Sequence, residues 1–434
     1  MTTASKKVIN GWCMYDWANS VYSLVITTTF FPAYYAAVTA PTHPEFKNGI
    51  TFLGRTFVNT EIKNYFLSFG FLLIAVLSPI LSSIADSRGN KKSFMRFFCY
   101  MGAVSCSLMY LFDGSSVIPG LFLFMFAGVG FYGSQVFYNS YLPEIADEHM
   151  RDRVSARGFS FGYIGSVIMQ LIGFALVLMM PDSYLPLKIT FLLVGLWWIG
   201  FAQITFNRLP ASVKPADINR ASIFTRGFNE LSLVWKQMVK MPALRNFLAA
   251  FFFYSMGVQT VMLVATDFGI KLLKLEDTKL ILTLVFIQLV AIVGAIVLSR
   301  LSEKFGNIRV LIFTVVLWMG VCIAGYSTTT EYEFYVLAIL VGLVMGGIQS
   351  LSRSTYSKLM PPTRDTASFF SFFDVTEKLA IVIGLFTFGY IEGVTKNMRN
   401  SIISLIVFFI LGLLMLLVTY VKRKKELGPN ISAI

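Results

Sequence analysis

Long apolar runs broken by short polar segments repeat along the whole chain. A helix that crosses a bilayer needs about 20 mostly apolar residues. Runs of that kind occupy 12–38, 63–85, 94–112, 117–141, 157–180, 186–206, 246–268, 280–300, 310–328, 333–356, 369–392 and 401–421. They are numbered span 1 to span 12 in chain order and predict an all-α polytopic membrane protein with twelve transmembrane helices. Span 1 is too long for the apolar stretch of a secretory signal peptide and carries Asp16 and Asn19, so it is read as a membrane helix.

The longest polar stretch, about 207–245, divides the spans into six plus six. The expected units are residues 1–208, a linker at 209–245, and residues 246–434. The linker opens with Pro210, Ser212, Pro215, Asp217 and Asn219. It continues with Phe224, Phe228, Leu231, Trp235 and Met238 at helical spacing, while Arg226, Lys236 and Lys240 fall on other faces. That pattern predicts an amphipathic helix on the inner membrane surface, or one packed on another part of the protein.

Composition agrees with the pattern. Of the 434 residues, 56% are apolar and 14% charged, and mean hydropathy is +0.69. Soluble domains carry about 45–50% apolar and about 25% charged residues, so a water-facing surface could not be covered. The net charge of +13 sits in short loops. With an even number of spans both termini lie on one side, and 26 of the 36 Lys and Arg residues lie on that side against nine opposite. The excess marks the terminal side as cytoplasmic, and the expected location is the bacterial inner (plasma) membrane. No nucleic-acid recognition module accompanies the basic charge. Cys13, Cys99, Cys106 and Cys322 lie in or beside apolar runs, and His43 and His149 fall in separate loops, so neither a disulfide nor a metal site is expected. There is no Walker A sequence for ATP and no Ser/His/Asp or Cys/His set for catalysis. The chain is not expected to be an enzyme or to hold a cofactor. Its expected partners are a small-molecule substrate and the lipid bilayer, with the chain as a monomer. Gly128-Val-Gly-Phe-Tyr-Gly133 fits a dinucleotide fingerprint in letters only. It sits inside a span and reads as a helix-packing surface.

The two halves repeat each other. Asp86-Ser-Arg88-Gly89-Asn-Lys-Lys follows span 2, and Glu303-Lys-Phe-Gly306-Asn-Ile-Arg follows span 8, 217 residues later. Span 4 ends with Gln135, Tyr138 and Asn139, and span 10 with Gln349 and Arg353. The loops that follow contain Met150-Arg-Asp and Thr363-Arg-Asp. Ordered matches at nearly constant offset point to two pseudo-symmetric six-helix bundles. This layout, with its acidic-basic-Gly loop, resembles the major facilitator superfamily. The resemblance implies that spans 1, 4, 7 and 10 line a central cavity. It also implies that Asp86, Arg88, Gly89, Glu303 and Gly306 form a loop signature that holds the cytoplasmic side shut.

A narrower resemblance rests on Tyr15-Asp-Trp-Ala-Asn-Ser-Val-Tyr22, on Gly346-Gly-Ile-Gln-Ser-Leu-Ser-Arg-Ser354, and on Pro361-Pro with Phe369-Phe-Ser-Phe-Phe-Asp374. These segments are similar to the vacuole-effluxer-like branch of the superfamily, whose fungal members export amino acids from the vacuole. The branch implies export or exchange of small solutes, amino acids among them.

Ionisable groups inside spans cost about 2.5–3.5 kcal/mol each at a helix centre, so they are expected to face a cavity or a partner. Asp16, Asn19 and Tyr22 follow at three-residue steps and are expected along one cavity face. Asp16 is read as a gate or coupling carboxylate, or else as a helix-end acid. Gln135, Tyr138, Asn139, Tyr254, Gln259, Gln349 and Arg353 are expected solute contacts. Arg353 suits a carboxylate, or else it reaches out to the cytoplasmic surface. Asp374, Glu377 and Lys378 at i, i+3, i+4 are expected either to take up and release a proton during transport or to form a closed structural ion-pair cluster. The function expected is secondary active transport of a small organic solute by alternating access. Export of amphipathic drugs or lipid-linked precursors, or a non-transporting membrane receptor, are the alternatives.

Overall fold

A computed structural model describes residues 3–40, 42–181, 183–211 and 223–427. Twelve long helices run through it. In chain order they are span 1 (Lys6–Val38), span 2 (Asn59–Arg88), span 3 (Lys91–Leu111), span 4 (Gly114–Ile145), span 5 (Arg151–Met179) and span 6 (Leu185–Arg208). Span 7 (Pro242–Leu273), span 8 (Asp277–Phe305), span 9 (Asn307–Ser327), span 10 (Glu331–Leu359), span 11 (Thr366–Thr395) and span 12 (Met398–Leu427) follow. Among the described residues, eleven are apolar enough over sufficient length to cross a membrane. Span 11, 30 residues long, completes the set and carries Asp374, Glu377 and Lys378.

The helices outrun the apolar stretches because polar residues end them. Glu61 accepts from the Val58 N–H at the start of span 2. Gly89 closes that helix at φ +62°, a left-handed position that costs glycine nothing. Thr330 and Glu333 form a reciprocal capping box at the start of span 10. One short element lies outside the helical pattern. The loop between spans 1 and 2 folds into an antiparallel hairpin, β1 (Ile50–Phe52) with β2 (Arg55–Phe57), turning on Leu53 and Gly54, both at positive φ.

Two buried cores result. One gathers side chains from Ile9 to Leu209 together with Ala367, and includes Trp12, Phe31, Phe124 and Trp198. The other gathers side chains from Val234 to Leu416 together with Tyr163, and includes Phe247, Trp318, Tyr356 and Phe409. Outside them, Leu72, Phe97, Phe286, Phe313 and Phe386 are exposed, as lipid-facing positions should be. Spans 5 and 8 pack along one seam between the bundles, and spans 2 and 11 along the other.

The linker forms a helix, Ile223–Val239, against spans 2, 7 and 11. The predicted stripe is partly corrected. Met238 and the unforeseen Val234 are buried, whereas Trp235 is half exposed with its ring 5.6 Å from Phe372. The helix packs on the bundles and keeps Leu233, Lys236 and Lys240 exposed. Ser212, Pro215, Asp217 and Asn219, and the side chains of Phe224, Arg226 and Phe228, lie outside the described residues.

Candidate functional site

A cavity of about 230 Å³ lies between the bundles. Spans 1, 4, 7 and 10 contribute Asp16, Gln135 with Asn139, Tyr254 with Gln259, and Gln349 with Arg353. Span 11 adds Asp374, Glu377 and Lys378, and span 5 adds Tyr163. All but Tyr163 were foreseen as site residues.

The floor is an inter-bundle bond. Arg353, 3% exposed, reaches from span 10 into the opposite bundle. One terminal nitrogen donates to Asp16 Oδ2 and to Asn139 Oδ1, both at 3.2 Å. Nε donates to Ser155 Oγ at 2.9 Å, and the other terminal nitrogen to the Ser155 carbonyl at 2.8 Å. The guanidinium lies 4.2 Å from the ring centre of Phe159 and 4.7 Å from that of Trp12. Tyr138 donates to the same Asp16 oxygen at 2.7 Å, and its ring stacks on Trp12. Arg353 therefore does not extend to the surface, and Asp16 is not a helix-end acid. They are partners.

Three expected cavity residues are corrected. Asn19 and Tyr22 are buried in the first bundle, where Tyr22 donates to the Phe124 carbonyl and packs on Trp198. Tyr138 meets Asp16 from the bundle side and is absent from the cavity wall. The cause is helical drift. Each three-residue step falls about 60° short of a full turn, so Tyr22 stands about 120° from Asp16. Ser20 and Ser23 stay within about 40° and do line the cavity, with Thr27 and Thr28 beyond them. Between Tyr22 and Phe30 the helix also widens to π-type turns, which re-aims this hydroxyl row. A run of Ser and Thr at i, i+3/i+4, i+7 was the signal that could have found it.

At the opposite wall Lys378 Nζ lies 3.0 Å from Asp374 Oδ1 and 2.8 Å from Glu377 Oε2. Gln259 donates to Glu377 Oε1 at 3.0 Å. Tyr254 shares a 2.7 Å hydrogen bond with Ser352, and Tyr163 donates to Gln349 at 2.8 Å across the bundles.

Below the floor, on the side of both termini, a second layer joins the bundles. Asp86 accepts from the Ala367 and Ser368 N–H groups at 3.3 and 2.7 Å and from the Ser368 hydroxyl at 2.9 Å. It thereby caps span 11 of the other bundle, where the helix dipole favours an anion. Its repeat counterpart Glu303 pairs with Arg153 at 2.5 Å on the first turn of span 5. Arg88 is exposed and makes no part of this layer, while Gly89 and Gly306 supply positive φ at the helix ends. Sequence reasoning missed the best-buried member. Asp152, 0% exposed, accepts from Ser302, Asn307 and Lys358, each at 2.7 Å. The repeat of Met150-Arg-Asp and Thr363-Arg-Asp was its signal.

This geometry suits a passage between two bundles joined on one side. It matches known proteins. Residues 4–427 fit the family model described as "Vacuole effluxer Atg22 like". The chain is 31% identical over 417 residues to the uncharacterized MFS-type transporter YxiO of Bacillus subtilis, covering 94% of this chain and 93% of that one. It is 24% identical over 437 residues to autophagy-related protein 22 of Saccharomyces cerevisiae, covering 88% and 82%. In fold it is similar to the human organic anion transporter MFSD10, with TM-score 0.72 and 9% identity over 95% of this chain and 99% of that one. It is likewise similar to the major facilitator transporter FucP of E. coli in its outward conformation, with TM-score 0.67 and 12% identity over 95% and 98%. The chain is thus an integral membrane transporter and not an enzyme, a member of the vacuole effluxer Atg22-like family within the major facilitator superfamily.

Proposed function

We propose that the chain moves a small organic solute, with amino acids as the first class, by alternating access between the two bundles. One observation carries this reading: Asp16 and Arg353 are at once cavity wall and inter-bundle bond. A solute that engages either group competes with the bond that keeps the terminal side joined. Binding is then linked to rocking of the bundles. Gln135, Asn139, Tyr254, Gln259 and Gln349 are the proposed solute contacts. Asp374, Glu377 and Lys378 are the proposed coupling site. The terminal side, rich in Lys and Arg, is proposed to face the cytoplasm of a bacterial cell, with the chain working as a monomer in the inner membrane.

The cavity size favours a small solute over a bulky amphipath. Drug-sized ligands occupy pockets of about 300–1,000 Å³, whereas this cavity holds about 230 Å³. The test is uptake of labelled amino acids into proteoliposomes made with the purified chain. Saturable uptake absent from protein-free liposomes is expected. Efflux of hydrophobic dyes with no uptake of any amino acid would overturn the reading.

A further inference from the structure

Among the described residues, three carboxylates and two cations line the cavity. Asp16 and Arg353 balance one another at the floor. At the other wall, among the described residues, Lys378 alone faces both Asp374 and Glu377. That pole therefore bears one negative charge in excess when all three groups are ionised. Span 11 packs against spans 2, 4, 7 and 12 and the linker helix. Span 4 brings the Tyr132 ring, 4.4 Å from the Lys378 ammonium, and span 7 brings Tyr254 and Gln259. Span 2 has no charged residue between Lys63 and Asp86, and span 12 has none between Arg399 and Lys422. The linker's Lys236 and Lys240 are exposed. Among the described residues, no second cation from these helices meets the surplus charge.

Two further features point to a ligand. Asp374 is 4% exposed, yet among the described residues its Oδ2 has no hydrogen-bond partner. Glu377, with its side chain 25% exposed, is the acid open to the cavity. An unbalanced charge in a water-poor site is strongly disfavoured, so the pole calls for one added cation.

Resting on the transport reading above, we propose that the Asp374–Glu377–Lys378 pole takes one cation at a time, a proton or the ammonium group of the solute, and that the protein exchanges an amine-bearing solute for protons. An ammonium arriving at the pole displaces the proton bound there to water. Lys378 then pairs with Asp374, whose second oxygen is available to it. A proton returning to the pole releases the ammonium. Single occupancy makes the two flows opposite, because co-transport would need both cations on the pole together.

The experiment uses the purified full chain. In weakly buffered detergent solution, an equimolar mixture of neutral and basic L-amino acids, adjusted to the same pH, is added while pH is recorded. Release approaching about one proton per protein is expected, and Glu377→Gln should abolish it. In proteoliposomes, the labelled mixture should accumulate when the interior is acidic and be slowed by external acid. If Glu377→Gln does not fold, proton release by the unaltered protein still decides the matter. Uptake driven by external acid, or uptake indifferent to pH without proton release, would overturn the exchange proposal alone. No uptake of any labelled amino acid under either gradient would overturn the amino-acid reading and this proposal with it.

Discussion

Arg353 and Asp16 stand 337 positions apart in the chain and on opposite bundles, yet the guanidinium donates to the carboxylate at 3.2 Å with both side chains at most 4% exposed. Removing one member of a buried pair leaves an uncompensated charge and costs about 3–5 kcal/mol. Asp16→Asn should therefore loosen the terminal side. A cysteine placed at Ser350, buried on span 10 three residues before Arg353, should react faster with a membrane-impermeant thiol reagent in the Asp16→Asn background. Arg353→Lys should also lose transport, since a single ammonium cannot serve Asp16, Asn139 and Ser155 as the planar fork does. Unchanged labelling in Asp16→Asn would remove the pair from the gate.

Gly158 on span 5 gives that bond its room. A Cβ there would sit 2.5 Å from Asp16 Oδ2 and 3.0 Å from an Arg353 terminal nitrogen. Gly158→Ala should separate the pair, costing about 1–3 kcal/mol, and should lower transport. A methyl group at Gly200 or Gly320 would meet nothing within 4 Å. Alanine at either should be neutral or stabilise by up to about 1 kcal/mol. Thermal unfolding in detergent separates these outcomes, and equal effects at all three sites would rule out the steric account.

The helices and the two halves were legible because hydrophobicity is written in long contiguous runs and the repeat in matched loops. The site was legible in part. Arg353, Asp374, Glu377 and Lys378 announce themselves as charges inside apolar helices, but the partner of Arg353 lies in the other bundle and no spacing within one helix encodes it. Asn19 and Tyr22 were misread because residues at three-residue steps drift around the helix. Asp152 was missed because it sits in a loop-like charged segment that gives no sign of burial until Ser302, Asn307 and Lys358 close over it.

The second layer on the terminal side should respond in a fixed order. Asp152→Ala strands Lys358, itself 8% exposed, and should cost about 3–5 kcal/mol. Asp86→Ala removes the cap of span 11 and should cost about 1–2 kcal/mol. Glu303→Ala breaks a pair whose Arg153 is 59% exposed and should cost about 0.2–1 kcal/mol. Thermal midpoints would give the ranking. Hydrogen exchange at the Ala367 and Ser368 amides should quicken in Asp86→Ala and stay unchanged in Glu303→Ala. The reverse ranking would contradict the burial argument.

Gln170 and Gln288 join spans 5 and 8 through one bond, from Gln288 Nε2 to Gln170 Oε1 at 2.8 Å. Both side chains are buried, and among the described residues Gln170 Nε2 and Gln288 Oε1 have no partner. A buried amide left wholly unpaired costs about 1–3 kcal/mol, whereas replacing both partners with apolar groups of similar shape is nearly neutral. Gln288→Leu alone should therefore destabilise the protein more than Gln170→Leu with Gln288→Leu together. The double variant should unfold close to the parent temperature, so that the two single effects fail to add. Additive losses would mean that each glutamine acts through contacts other than this pair, and the seam between spans 5 and 8 would then owe its cohesion to the apolar side chains around it.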